Sequence, residues 1–380
     1  MITLVVRQQD IKVNMKPTNY LTSLTPLRGI AALWVIIFHI DVSTYYRDLG
    51  SLFDRSSTGI FSKGYLWVDF FFLLSGFIIY HVYGQEFKEG FSFPKMKRFL
   101  WTRFSRLYPL HLFTLMVTII GALIFGQLYP QLIDGSWELY FSPKALLPEF
   151  TMMNAMNFYH FLSWNMPSWS IGAEFWTYFI AIFILGALGK QTKVGWIISS
   201  VLSFSLLVML VHFHPNHNLD ITWDFGWLRC LFQFILGVNI YQLFDKKIGA
   251  SFLSKDIIFI VLMMSIGIGF HFMWNDLIFV PLFALLLLAT AYNNNKVSSF
   301  LESPSLKFLG DISYSLYLMH GLVFFFFWFQ FPIWKEQFGW ETLPKWMHLL
   351  YMITFIGITI LISAWSYKYV EVKGRKWLRK

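Results

Sequence analysis

The chain has 380 residues, of which 56% are apolar and only 13% charged, against about half apolar and about a quarter charged in an ordinary soluble domain. Its formal charge of +9 sits in short clusters between apolar runs, with no surface stripe or binding motif, which excludes nucleic acid as the partner. The single cysteine, Cys230, excludes an intrachain disulfide and any multi-cysteine metal site.

The apolar residues fall into runs of roughly 18–22, the length a helix needs to cross a hydrocarbon core of about 30 Å. Ten spans are predicted, at about 24–43, 65–83, 106–126, 169–189, 194–212, 225–243, 256–272, 275–292, 312–331 and 348–369. The fold class is therefore all-α, a polytopic integral membrane bundle. Residues 1–20 are polar and basic with no apolar h-region, so no cleavable signal peptide is read. The organisation is a segment 1–23, a membrane domain 24–371 and a basic tail 372–380, with no soluble domain between spans.

Lysine and arginine alternate sharply between the two sets of connections. The N-terminal side carries 22 of the 30, including Arg7, Lys12, Lys16 and Lys190. The other side has six (Arg47, Arg55, Lys63, Lys144, Lys335 and Lys345), and Arg28 and Arg229 lie within spans. The positive-inside rule then puts both termini in the cytoplasm.

Ionisable groups inside spans are costly and point to function. In the first span Arg28 and His39 are eleven residues apart. At 100° per residue they fall within about 20° of one face, about 16 Å apart along the axis. The same spacing also fits a snorkelling arginine and a histidine satisfied in the core. The second span opens with Asp69, an acid favoured by the helix dipole, and continues to Ser75-Gly76, a mark of close helix packing.

Arg103 and Arg106 precede the third span and share a helix face at i and i+3. They suit a phosphate clamp or anionic membrane lipid, although positive-inside bias alone also predicts them. The connection 127–168, rich in Trp, Tyr, Phe and Pro, reads as an interfacial aromatic belt or a re-entrant lid. In the fourth span Glu174 and Tyr178 face one way at i and i+4, and Arg229 in the sixth is the candidate partner for a buried acid.

In the ninth span Ser313 and His320 share a face but stand about 10 Å apart along the helix, too far to hydrogen-bond. They read as pocket-lining or structural. Glu371 ends the last span before basic residues that can pair with it. His212, His214 and His217 form an outward loop without an acidic or cysteine partner nearby, so no metal site is assigned.

Taken together, these segments resemble the acyltransferase-3 family of membrane-bound O-acyltransferases. The resemblance rests on Arg28-x10-His39 and on Gly64-x3-Val68-Asp69 with its run to Ser75-Gly76-Phe77. It continues through Arg103-x2-Arg106-Leu107-x-Pro109, Pro167-Ser168-Trp169-Ser170-Ile171-x2-Glu174 and Arg229-x4-Phe234-x2-Gly237. Ser313-Tyr314-Ser315-x-Tyr317-x2-His320 and the terminal Glu371 complete it. The blocks come in family order from about 24 to 371.

The resemblance implies ten spans, acyl-CoA used from the cytoplasmic side and an acceptor often presented outside. Family acceptors are lipopolysaccharide, capsule, exopolysaccharide, peptidoglycan and small glycosides. It makes His39 the leading catalytic residue, with Arg28 as its motif partner. A proline common after the last-span glutamate is Val372 here. Some relatives carry a fused C-terminal esterase-like domain; none is read here, which implies direct transfer or a separate partner protein.

The resulting expectation is an O-acyltransferase of the cell membrane, using acetyl-CoA as co-substrate with no resident cofactor and a carbohydrate acceptor. Arg28, Arg103 and Arg106 hold the CoA phosphates, and His39 acts as base or acyl carrier. Asp69 or Glu174 orients the imidazole. Ser75, Tyr178, Arg229, Ser313, Tyr314, His320 and Glu371 are candidate pocket residues. An exporter of glycans or small metabolites also predicts buried charges, but the sequence has no inverted repeat or paired broken helices.

Overall fold

The computed structural model describes residues 21–89, 92–133, 135–188 and 192–380. Expectations resting on residues 1–20, among them Arg7, Lys12 and Lys16, and on Lys190 lie outside the described residues. Among the described residues the regular structure is helical, without strands.

Ten principal helices follow in chain order: α1 Leu24–Tyr45, α2 Trp67–Lys88, α3 Phe93–Leu128, α4 Ser168–Leu188, α5 Lys193–Phe213, α6 Gly226–Asp245, α7 Asp256–His271, α8 Phe279–Tyr292, α9 Ser313–Phe338 and α10 Lys345–Ser366. Eight of them are long and apolar enough to cross a membrane. The other two, α7 and α8, are shorter apolar helices of 16 and 14 residues. The ten occupy the ten predicted places, and the protein is an all-α polytopic membrane bundle. Helices are the expected solution because a bilayer offers no water to satisfy exposed peptide groups.

Hydropathy misplaces two ends. Helix α3 begins at Phe93, with a proline in its first turn, so the basic block from Lys95 to Arg106 is helical. Lysine and arginine are good helix formers, and an apolar window cannot see them. Helix α10 passes through a π-helical turn, Tyr367–Glu371, into the helix Val372–Leu378, so Glu371 lies inside a continuous helical rod. The expected tail from 372 is thus largely helix. The connection 127–168 folds into short turns, including Gly135–Tyr140 and Leu146–Phe150. Its Trp137 and Tyr140 pack edge-on against Phe329 and Phe325 of α9.

Because lipid is as apolar as leucine, helices in a membrane associate through close backbone approach and polar contacts. The crossing of α2 and α6 shows both. A Cβ added to Gly76 would lie 2.0 Å from the Phe234 carbonyl oxygen, and one on Gly237 2.0 Å from that of Leu73. The same crossing buries an ion pair, Asp69 with Arg229, at 0% and 1% side-chain exposure. Elsewhere Asp276 takes hydrogen bonds from Lys63, Tyr65 and the Leu219 amide. Leucines, isoleucines and valines on the outer faces of α5 and α7 are exposed, as lipid-facing residues must be. Helix α1 packs against both α2 and α9, which places the site.

Candidate active site

Helices α1, α2, α3, α4 and α9 enclose a cavity of about 310 Å³, the lower end of the range for small-molecule sites, roughly 300–1,000 Å³. Its lining comes from the first turns of α1 and α9, the inner half of α2, the start of α4 and the basic stretch of α3. Arg28, Arg103 and Arg106 converge on it from two helices. The facing carboxylate is Glu174, which accepts from Ser75 Oγ at 2.6 Å and from the Tyr178 hydroxyl. Three guanidinium groups against one carboxylate leave the cavity suited to an anion.

Arg103 is 9% exposed. Its Nη2 donates to the Tyr83 hydroxyl at 2.9 Å, and its guanidinium carbon stands 5.1 Å from the Tyr83 ring centre and 5.9 Å from that of Phe99. Its Nε–H has no hydrogen-bond partner. A buried donor left unpaired costs about 1–3 kcal/mol. Ser313 Oγ, also lining the cavity, is likewise buried and unpaired.

Two expected pocket residues serve as ties between helices. Tyr314 lines the cavity, but its hydroxyl donates to the Leu107 carbonyl of α3 at 2.7 Å. Glu371, buried on the π-helical turn, accepts from Ser315 Oγ at 2.8 Å and feels the charges of Arg106, Arg28 and Arg375. It anchors α10 to α9 and does not line the cavity.

At its inner end the cavity is closed by Phe71, Ser170 and Tyr317. One helical turn beyond Tyr317 stands His320, and against it His39. The two rings are 4.7 Å apart, with His320 Nε2 3.2 Å from His39 Nδ1. His39 Nδ1 also lies 2.9 Å from the Val35 carbonyl, and His320 Nδ1 3.3 Å from that of Leu316. A carbonyl only accepts, so the network assigns the proton to Nδ1 of each ring. His39 donates to Val35 and to His320 Nε2, and its own Nε2 keeps a lone pair for chemistry. The His39 ring is walled by Phe38 and Phe324, edge-on at 4.8 and 5.9 Å.

The expected acid beside the imidazole is absent from this arrangement. Asp69 is saturated by Arg229, Nε to Oδ1 at 2.8 Å and Nη2 to Oδ2 at 2.7 Å, and by Gln233. A fully buried carboxylate has to be paired this way. Arg229, expected in the pocket, is drawn to Asp69 and does not line the cavity. Glu174 lies within the cavity on Ser75 and Tyr178. The ring beside His39 is that of His320, its Nε2 3.2 Å from His39 Nδ1.

In the outward loop His214 Nε2 meets Asp224 Oδ2 at 2.5 Å, an acidic partner ten residues along the chain. Among the described residues no group of three or more metal-ligating side chains forms. The residues that the spacing analysis missed are Tyr83, which seats Arg103, and the Tyr317–Ser170 pair. Tyr317 lies three residues before His320, on one helix face, and that spacing was the available signal.

These features define a polytopic membrane protein with an arginine-lined cavity and, beyond its Tyr317, a half-buried His39 paired with a buried His320. The chain belongs to the Acyl_transf_3 family, described as an acyltransferase domain, whose model matches residues 21–368. It is similar to the O-acetyltransferase OatA of Staphylococcus aureus, 24% identical over 387 residues, covering 95% of this chain and 58% of that protein. It is also similar to the acyltransferase MdmB of Streptomyces mycarofaciens, 26% identical over 327 residues, covering 80% and 79%. The chain thus spans little more than half the length of its staphylococcal relatives. No solved structure matches it.

Proposed function

We propose that the protein is an integral membrane O-acyltransferase that moves an acyl group, acetyl first, from acyl-CoA to a hydroxyl of a cell-envelope carbohydrate or glycoside. The observation that carries this reading is the arginine-lined cavity together with the His39–His320 pair, linked by Tyr317, which lines the cavity and stands 5.7 Å from the His320 ring. The similarity to the O-acetyltransferase OatA and the acyltransferase MdmB supports acyl transfer. On this reading the protein resides in the cell membrane with both termini cytoplasmic, and the cavity mouth, at the first turn of α1, receives acyl-CoA from that side.

Arg28, Arg103 and Arg106 hold the phosphates as charge-assisted donors. The pantetheine arm runs inward along α2 and α9 and brings the thioester to the inner end. His39 Nε2 takes the proton of the acceptor hydroxyl as its oxygen attacks the carbonyl carbon. The C–S bond then breaks, and the proton passes to the CoA thiolate. His320 fixes the tautomer and direction of His39 throughout. The apolar wall of Phe38 and Phe324 keeps water from the thioester.

The test is acetyl-CoA turnover by purified protein in nanodiscs, wild type beside His39→Ala, with CoA thiol release as the readout. Turnover present in the wild type and lost in the variant supports the assignment. Equal rates in both would remove His39 from the chemistry.

A further inference from the structure

Acyl transfer collects negative charge on the carbonyl oxygen, and enzymes meet it with a donor already in place. Most donors around the inner end of the cavity are committed. The Nδ1 protons of both histidines go to the Val35 and Leu316 carbonyls and across the pair. Three tyrosines line the cavity: Tyr178, Tyr314 and Tyr317. Tyr178 donates to Glu174, and Tyr314 to the Leu107 carbonyl. Tyr317 instead pairs with a second hydroxyl, Ser170 Oγ at 2.7 Å, which can donate as well as accept. Its proton is therefore not tied to a carboxylate or a carbonyl, and the Ser170 hydroxyl, which also lies 3.3 Å from the Pro167 carbonyl, can turn to donate to the phenol oxygen instead.

The Tyr317 ring is also held in position. It stands edge-on to Phe71 at 6.0 Å and 71°, and edge-on to His320 at 5.7 Å and 73°. Its hydroxyl is therefore held at the junction between the cavity and the histidine pair, where a Ser170 that donates to it leaves the phenolic hydrogen for a ligand.

We propose that Tyr317 is a catalytic residue of the acyl transfer, its phenolic O–H donating to the thioester carbonyl oxygen as the tetrahedral intermediate forms. The inference rests on the cavity being the acyl-CoA site. The acceptor oxygen forms its bond to the carbonyl carbon while its proton moves to His39 Nε2. The carbonyl π electrons move onto oxygen, where Tyr317 stabilises them without giving up its proton. They return as the C–S bond breaks, and His39 protonates the departing thiolate. Ser170 is the positioning residue that turns the phenol towards the donor.

The test is steady-state kinetics of the nanodisc protein with acetyl-CoA, an N-acetylglucosamine oligomer serving as probe acceptor. Tyr317→Phe keeps the ring and removes only the donor. It is expected to lower kcat by about 10²–10³-fold with KM for acetyl-CoA essentially unchanged. Ser170→Ala is expected to lower kcat less, because the phenol keeps its proton and loses only its hold. Wild-type kcat in Tyr317→Phe would overturn the proposal, as would loss of CoA binding in parallel with loss of rate, since that marks a structural role. Inert wild-type protein would overturn the acyl-CoA reading itself and this inference with it. An active wild type with an inactive His39→Ala keeps the two questions separate.

Discussion

His39 Nδ1 lies 3.2 Å from His320 Nε2, although the two residues are 281 positions apart in the chain. The contact joins the parallel helices α1 and α9 at the level where the cavity ends, and it gives each imidazole one defined proton position. His320 thereby directs the free lone pair of His39.

Removing that partner lowers the rate without abolishing it. In His320→Phe the ring volume is kept and the acceptor for His39 Nδ1–H is lost, although Val35 still holds that proton. We expect kcat for acetyl-CoA turnover to fall about 10–100-fold, by analogy with orienting partners at metal-bound histidines, and KM to change little. A variant as fast as wild type would leave His320 with a packing role only.

On the proposed reading Arg106 holds the donor's phosphates and does not touch the reacting carbon. Loss of a charge-assisted hydrogen bond costs about 1.5–3 kcal/mol, so Arg106→Ala is expected to raise KM for acetyl-CoA about tenfold or more, with kcat preserved. Binding of CoA measured at rising ionic strength should weaken less steeply in the variant. A drop in kcat at constant KM would contradict a phosphate-holding role.

The buried pair Asp69–Arg229 holds α2 to α6, and breaking it strands a charge. Asp69→Asn or Arg229→Gln alone is expected to cost about 3–5 kcal/mol, read as a lower melting temperature in detergent. The double variant removes both charges and should recover much of the loss. Single variants that melt with the wild type would mean the pair is solvated in the membrane protein.

Glu149, in the short helix Leu146–Phe150 outside the spans, has its carboxyl pushed up to about 8 by burial, against the lowering effect of hydrogen bonds from Asn154 and Ser168. The folded state thus holds a proton that the unfolded chain releases near its ordinary value of about 4.3. This contribution to stability is fully present at acid pH and is lost as pH rises towards 8. The melting temperature of Glu149→Gln should therefore fall less between pH 5 and 8 than that of the wild type. Parallel curves for the two proteins would refute the linkage.

The sequence by itself determined the order of the ten principal helices, eight of them long and apolar enough to cross a membrane, because bilayer thickness sets helix length and every span must close its own hydrogen bonds. It also placed Arg28 and His39 on one face of α1, since helical periodicity is local, and it marked Arg103 and Arg106 as neighbours. It could not say which buried charge meets which. Asp69 had no more local claim on Arg229, 160 residues away, than on His39. The meeting of His39 with His320, and of Tyr317 with Ser170, depends on how whole helices cross. Those crossings are decided by close contacts such as Gly76 on Phe234 and Gly237 on Leu73, and no periodicity within a single helix records the partner it will meet.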